Sequence, residues 1–308
     1  MIPIKRYTHM SREQLERLVD NLDHPFIVED AVSLFQWNSI PSRLNKNILR
    51  SIQSGDHVGF VPVDLGGPVE MTFTEAMLHL YLSGGYINGW EYFAGDCEEL
   101  HSVADPVAAL LQRNSLLTKL GYSGHMLDSV MRWIFVSKGP NAGSPWHVDP
   151  IGSAAWMLQI TGEKTWYFRT SDTKMQGRLS PGDLLLIPSE MEHRVINIGE
   201  DINVAISHNW VKCNSLGEAA MWNKLLEALD RFEEFAKVNN YDVDEISVHN
   251  VFEKFQNACI VDNLLFGLLM SVVFADTRQI RSAFGSNIAP RVRDSVILKA
   301  SKYHKLLS

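Results

Sequence analysis

Ser144-Pro145-Trp146-His147-Val148-Asp149-Pro150 is the most informative stretch of this 308-residue chain. If the stretch forms a β-strand, residues two positions apart point to the same face. His147 and Asp149 can therefore present an imidazole and a carboxylate to one point in space. The triplet alone is a weak signal, because composition predicts roughly 0.6 such triplets by chance. A surface turn that ends at Pro150 is the alternative interpretation.

A second segment, centred on His193, strengthens the metal interpretation. The spacing of Gly182, Pro188, His193 and Asn197 matches the second metal-binding motif of cupin barrels. Gly182 lies in a Pro-Gly-Asp turn, and the apolar run 184–187 that follows is typical of a short buried strand. Two imidazoles and one carboxylate on one ion leave its other coordination positions open, as in non-haem Fe(II) oxygenases. The sequence therefore predicts His147, Asp149 and His193 as the ligands of Fe(II).

The chain also resembles a known family, the jumonji-C oxygenases of the cupin superfamily, and most closely their hydroxylase subgroup. This resemblance implies a mainly β protein with a double-stranded β-helix (jelly-roll) core and flanking helices. It also implies an enzyme that uses Fe(II) and 2-oxoglutarate to hydroxylate or demethylate its substrate, with hydroxylation favoured. The residues that carry the likeness are Arg132, Trp133, 147–156, 162–166, 188–193 and 204–210.

Lys164 is the predicted anchor of the co-substrate. By strand alternation it shares a face with Trp166 and Phe168, which is unusual for a solvated lysine. The resemblance places the lysine that binds 2-oxoglutarate at this position, where an ammonium group would meet the distal carboxylate. The alternative is an exposed face with half-buried aromatic rings.

Further co-substrate residues are carried over from the same family. Ser207 corresponds to the hydroxyl residue that shares the carboxylate, and Asn209 lies on the same face of the predicted strand. A family tyrosine corresponds most closely to Tyr92, for which a core aromatic residue is the alternative. One position departs from the pattern, because Met157 stands where close relatives have an asparagine, and Met is a weak acceptor and no donor.

Local patterns predict the order of helices and strands. Ser11 and Gln14 form a capping box that opens a helix to about residue 21. Beyond it, apolar periodicity changes from strand-like to helical after residue 214. The other predictions are strands at 25–28 and 58–63, helices at 41–54 and 73–82, an extended segment at 86–93, strands and turns over 131–210, and helices at 215–238, 251–274 and 287–307.

These patterns predict three regions: an N-terminal helical lead-in (1–24), a jumonji-C catalytic domain (25–212) and a C-terminal helical region (213–308). The apolar faces of the C-terminal helices must be covered by the barrel or by another chain. We expect them to form part of a homodimer interface.

Composition limits the partners and the compartment. The net charge of −8 argues against a large nucleic-acid footprint and is compatible with a peptide or a small-molecule substrate. Three widely spaced cysteines, Cys97, Cys213 and Cys259, fit a reducing cytoplasm. The longest apolar run, 264–275, is too short to span a bilayer, and residues 1–6 lack the apolar segment of a signal peptide.

Two other function classes stay open at this point. A cupin metalloenzyme that does not use 2-oxoglutarate commonly has several histidines and a glutamate as ligands, whereas this chain offers Asp149 and Lys164. A binding module with a silent site would be expected to lack a ligand, and all three ligand positions are filled here. The sequence does not distinguish a protein side chain, a modified nucleoside or a small metabolite as the substrate.

Overall fold

The structure is a computed structural model that describes most of the chain. The predicted helix at 41–54 lies outside the described residues, as do Tyr92, Cys97 and Cys259. Of the predicted helix at 251–274, only scattered residues are described. The described residues are 1–37, 60–64, 68–91, 98–111, 115–120, 132–149, 153–213, 216–239, 251, 254, 255, 265, 269, 272, 273, 275, 277–284 and 288–307.

Two open β-sheets dominate the described part of the chain, which confirms the prediction of a sheet-rich protein with helices. The smaller sheet has the strand order β1-β10-β9-β12, and the larger has the order β2-β3-β11-β8-β13-β7-β6-β4-β5. The strands are β1 (Ile2–Pro3), β2 (Lys5–Tyr7), β3 (Phe26–Val28), β4 (Phe60–Asp64), β5 (Pro68–Thr72), β6 (Gly85–Glu91), β7 (Arg132–Lys138), β8 (Ala154–Thr161), β9 (Glu163–Arg169), β10 (Lys174–Leu179), β11 (Leu184–Ile187), β12 (Glu192–Ile198) and β13 (Ile202–Trp210).

Two of the helices begin at a capping box. Ser11 and Gln14 form the predicted capping box at the first helix, and Thr72 caps the third with Glu75 in the same way. Residues 2–7, within the predicted helical lead-in, also contain two short strands that the sequence did not predict. The helices are α1 (Arg12–Asp20), α2 (Ala31–Leu34), α3 (Phe73–Ser83), α4 (Glu98–Leu111), α5 (Leu116–Lys119), α6 (Leu216–Val238), α7 (Thr277–Ala283) and α8 (Pro290–Leu307).

Strand β9 lies between β10 and β12 and gives the smaller sheet two different faces. Its odd-numbered residues are partly exposed and its even-numbered residues are buried. The buried inner face carries Lys164, Trp166 and Phe168, as the sequence predicts, and the outer face carries Tyr167 and Arg169. In β12 the buried residue His193 is paired with Phe168, so the same alternation continues across the sheet.

Apolar residues from the inner faces of both sheets form one core. Trp166, Phe168 and Val195 come from the smaller sheet, and Met157 and Ala205 come from the larger sheet. Burial of such side chains is the main favourable term in folding. Strand β13 is buried on both faces, so Ser207, at 3% exposure, does not face solvent.

The chain divides into two compact units. The first contains Met1–Arg113, Met131–Asp149 and Ala154–Asn209, and the second contains Asn114–Val130, Pro150–Ser153 and Trp210–Ser308. Within the second unit, Trp222 stacks on Phe284 with ring centroids 4.2 Å apart. None of the helices in the described ranges is both long enough and apolar enough to cross a bilayer.

Candidate metal centre

The two histidines of the motifs lie side by side. His147 and His193 form an antiparallel bridge, in which each backbone N–H donates to the carbonyl of the other at 2.9 and 2.8 Å. Their ring centroids are 4.3 Å apart. The premise that His147 belongs to a strand is wrong, since it forms only this isolated bridge. Pro145 has no N–H to continue the ladder.

Backbone carbonyl groups orient both imidazole rings. His147 Nδ1 lies 2.8 Å from the Pro145 carbonyl oxygen, and His193 Nδ1 lies 2.9 Å from that of Met191. A carbonyl oxygen only accepts, so each Nδ1 must carry the hydrogen. Each neutral ring then keeps its lone pair on Nε2, the atom that faces Asp149. This is the arrangement that fixes metal-binding histidines in other proteins.

The carboxylate of Asp149 completes the group. Its Oδ1 lies 3.8 Å from His147 Nε2 and 3.7 Å from His193 Nε2, and the ligand atoms all lie within 4.8 Å of one another. Two atoms bonded to one ion at about 2.1 Å are at most about 4.2 Å apart, and both distances from Asp149 to the histidines are within this limit. Asp149 Oδ2 is buried and accepts no hydrogen bond from any described residue. A buried unpaired carboxylate oxygen is costly, so the donor set fits a cation.

Burial also favours the neutral form of one ligand. The pKa of His193 is lowered from its usual value, chiefly because burial disfavours the imidazolium ion, although Asp149 acts in the opposite direction. Neutral imidazole is the form that binds a metal ion. His147 is more open, with 38% of its side chain exposed against 3% for His193. The site is therefore accessible from the His147 side.

Lys164 supplies the second polar feature of the interior. Its side chain is fully buried, and its Nζ donates to none of the described residues. Two aromatic rings lie near it, with Nζ 5.4 Å from the ring centre of Tyr86 and 6.0 Å from that of Phe135. Burial lowers the pKa of Lys164 to about 7. An ammonium left without an acceptor is a cost that an anionic ligand would relieve.

Lys164 and His193 lie on the same inner face of the smaller sheet. Lys164 is near the start of β9, and His193, on the neighbouring strand β12, is beside the end of β9. His193 is opposite Phe168, and Lys164 is opposite Asn197. Four residues along a strand correspond to about 13 Å between backbone positions. A dicarboxylate and a long lysine side chain together cover such a distance. Trp166 and Phe168 share this inner face, and their ring centroids lie 5.6 and 5.7 Å from that of His193.

Tyr86 is a site residue that the sequence analysis missed. It is buried on β6, its ring stacks with Phe135 at 6.0 Å, and its hydroxyl accepts a hydrogen bond from Ser144 at 3.1 Å. It thus connects the surroundings of Lys164 with the heptapeptide that carries His147. The pairing of β6 with β7 brings Tyr86 to this position, and a single sequence does not show that pairing.

The remaining predicted co-substrate residues are placed as follows. Ser207 is buried, and its hydroxyl donates to the Trp156 carbonyl at 3.0 Å. Asn209 is also buried, at 4% exposure. Met157 packs in the apolar core between the sheets. Tyr92 lies outside the described residues and stays a prediction.

Comparison with known proteins supports the resemblance to the jumonji-C oxygenases. No family model matches the chain. The chain is 27% identical to the 2-oxoglutarate and iron-dependent oxygenase JMJD4 of Mus musculus over 31% of this chain and 30% of that protein. The corresponding Homo sapiens protein is 27% identical over 32% and 31%. The bifunctional arginine demethylase and lysyl-hydroxylase psr-1 of Caenorhabditis briggsae is 24% identical over 31% and 33%. The match thus spans about a third of the length of these relatives.

Proposed function

We propose that this protein is an Fe(II)- and 2-oxoglutarate-dependent oxygenase that hydroxylates its substrate. The observation that carries the proposal is the convergence of His147, Asp149 and His193 within 4.8 Å. Iron bound there would couple the oxidative decarboxylation of 2-oxoglutarate to the oxidation of a substrate C–H bond by dioxygen. The relatives named as iron- and 2-oxoglutarate-dependent oxygenases support the same chemistry.

The protein contributes fixed ligand atoms before any cofactor is bound. The carbonyl groups of Pro145 and Met191 hold both imidazoles with Nε2 toward Asp149. A metal ion therefore meets neutral nitrogens and one carboxylate without a large rearrangement of the rings. Such pre-organisation raises affinity because less conformational freedom is lost on binding.

Lys164 would bind the distal carboxylate of the co-substrate. Its Nζ has no acceptor among the described residues and lies near the rings of Tyr86 and Phe135. In this low-dielectric setting an ammonium–carboxylate contact is stronger than in water. Binding of the dianion would raise the pKa of Lys164 and so restore its charge.

Ser207, Asn209 and Tyr92 are secondary candidates for the same carboxylate. A serine has one O–H, and that of Ser207 is donated to Trp156. Ser207 would therefore have to exchange this bond for one to the co-substrate. Tyr86 is a further candidate because its ring centre lies 5.4 Å from the ammonium nitrogen of Lys164.

The double-stranded β-helix architecture is part of the same proposal. The two sheets would be the halves of a double-stranded β-helix, a prediction supported by the single core that their inner faces share. The division into 1–24, 25–212 and 213–308 likewise stays a prediction.

We infer that the substrate is a side chain of a peptide or protein rather than a small metabolite. The psr-1 relative is named for action on arginine and lysyl residues. The net charge of −8 suits a basic peptide. The open side of the site, where His147 is 38% exposed, would admit such a side chain.

The test compares wild-type protein with Asp149→Ala after anaerobic loading with Fe(II). Wild type should bind iron and release succinate from 2-oxoglutarate, whereas Asp149→Ala should lose both because an anionic ligand is gone. Asp172→Ala, which removes an exposed carboxylate on the turn after β9, is the matched control.

Iron binding without consumption of 2-oxoglutarate would favour a cupin metalloenzyme of another kind. No iron binding by wild type would favour a silent binding module. Either result rejects the proposed activity.

A further inference from the structure

We propose that Trp146 and Arg194 are positioning residues that hold the metal-binding loop, residues 139–149, against β12. This inference rests on the proposed function, because the loop carries His147 and Asp149. It concerns the outer face of the smaller sheet, opposite to the face that carries His193.

Four side chains on that outer face form a continuous stack, the outer-face ladder. The Arg169 guanidinium lies 4.4 Å from the ring centre of Trp146. The Arg194 guanidinium lies 5.3 Å from the same ring and 4.5 Å from the ring centre of Tyr167. Guanidinium groups bind aromatic faces through the quadrupole of the ring. The ladder thus joins the loop to β12 and β9.

The ladder is connected to both histidines through the backbone. Trp146 directly precedes His147, and Arg194 directly follows His193. On the other side of His193, Glu192 forms a bidentate ion pair with Arg169. Each of the two histidines therefore has a sequence neighbour whose side chain is held on the outer face of the smaller sheet.

The loop needs such support because its backbone ladder is incomplete. Beyond the bridge at His147, Val195 N–H donates to Ser144 at 3.2 Å, and Asn197 N–H donates to Ala142 at 2.8 Å. Pro145 has no N–H to donate, and Asp149 lies in no strand. Between Ser144 and Asp149 the backbone is bonded to β12 at His147, and side-chain contacts of Trp146 add to this hold.

Arg194 is suited to this task rather than to a solvent-exposed role. It is only partly exposed, and its Nε is buried and donates to none of the described residues. Its guanidinium lies over the rings of Trp146 and Tyr167. A guanidinium desolvated between two rings gains more from them than an exposed one does.

The experiment measures metal binding and not only turnover. Trp146→Ala and Arg194→Met are titrated with Mn(II) and Co(II) by calorimetry, and the Co(II) absorption spectrum reports the ligand geometry. We expect roughly tenfold weaker binding and an altered spectrum, on the scale seen when residues that support metal ligands are removed. Trp146→Phe, which keeps an aromatic face, should restore most of the affinity.

Arg178→Ala is the matched control. Arg178 is also an outer-face arginine of this sheet and pairs with Glu163, away from the loop. This variant should bind both metals like wild type, and the melting temperatures of all metal-free variants establish whether they are folded.

Two results would contradict the inference. One is wild-type metal affinity and spectrum in Trp146→Ala and Arg194→Met. The other is a loss in Trp146→Phe and Arg178→Ala as large as in Trp146→Ala, which would indicate general destabilisation. If wild type itself binds no metal, the proposed function fails instead, so the two failures are distinguishable.

Discussion

Gly143 lies so close to Val195 that a Cβ atom at position 143 would stand 2.0 Å from the Val195 carbonyl oxygen. It would also stand 2.8 Å from the carbonyl carbon. Contacts this short do not occur in proteins, and the obstructing atoms belong to the backbone of a buried strand. Only glycine therefore allows the metal-binding loop to lie directly on β12.

Gly143→Ala should weaken metal binding by tenfold or more, because the loop must move away from β12 and take His147 and Asp149 with it. Mn(II) titration and the Co(II) spectrum measure this effect. Pro140→Ala, at an exposed position of the same loop, is the control and should bind like wild type. Unchanged affinity in Gly143→Ala would show that the loop does not need this close approach.

Lys164→Met should raise the apparent KM for 2-oxoglutarate by about ten- to a hundredfold, since a hydrogen bond to a charged group contributes roughly 1.5–3 kcal/mol. Methionine keeps much of the volume and removes the charge. Iron affinity should stay near that of wild type. Lys174→Met, on the exposed edge of β10, is the matched control. An unchanged KM would remove Lys164 from the co-substrate site.

The burial of Lys164 also predicts how the ligand-free protein responds to pH. The pKa of Lys164 is about 7 in the folded state against 10.5 for an exposed lysine. Between these values the unfolded chain binds the proton that the folded protein has released, so this group makes the free energy of unfolding rise with pH. Below pH 7 both states are protonated, and the full cost of the buried charge remains.

Urea denaturation of wild type and Lys164→Met across that window isolates this contribution, because other titrating groups are common to both proteins. The variant should be more stable near neutral pH, and its advantage should shrink as the pH rises toward 10.5. A constant difference between the two proteins would mean that Lys164 titrates normally.

We still propose a homodimer through the C-terminal helical region. Leu298, an apolar residue of α8 that is 74% exposed, is the position chosen for the test. Light scattering should give twice the chain mass for wild type and a smaller mass for Leu298→Glu. Arg291→Ala, at another exposed position of α8, should behave like wild type. A wild-type monomer would remove this proposal.

Local patterns predicted much of the fold because they depend on neighbouring residues alone. The capping box of Ser11 and Gln14 and the buried face of Lys164, Trp166 and Phe168 are examples. The convergence of His147 and Asp149 with His193 was predicted because the spacing around His193 matches a known metal-binding motif.

Features that depend on distant pairing were not predictable. Tyr86 reaches Lys164 only because β6 pairs with β7, and Trp146 meets Arg194 only because the loop lies on β12. The amino-acid sequence likewise does not reveal that the Ser207 hydroxyl donates a hydrogen bond to the Trp156 carbonyl. Each of these contacts joins residues that are far apart in the chain.

The short strand β1 has a practical consequence for recombinant work. Ile2 and Pro3 pair in parallel with Met175 and Gln176, and Ile4 N–H donates to the Gln176 carbonyl at 2.8 Å. A truncated variant that begins after these residues would leave β10 as an uncovered edge, and such edges pair with other molecules and aggregate. Purification tags are therefore better joined with a flexible spacer before Met1 than in place of the first residues.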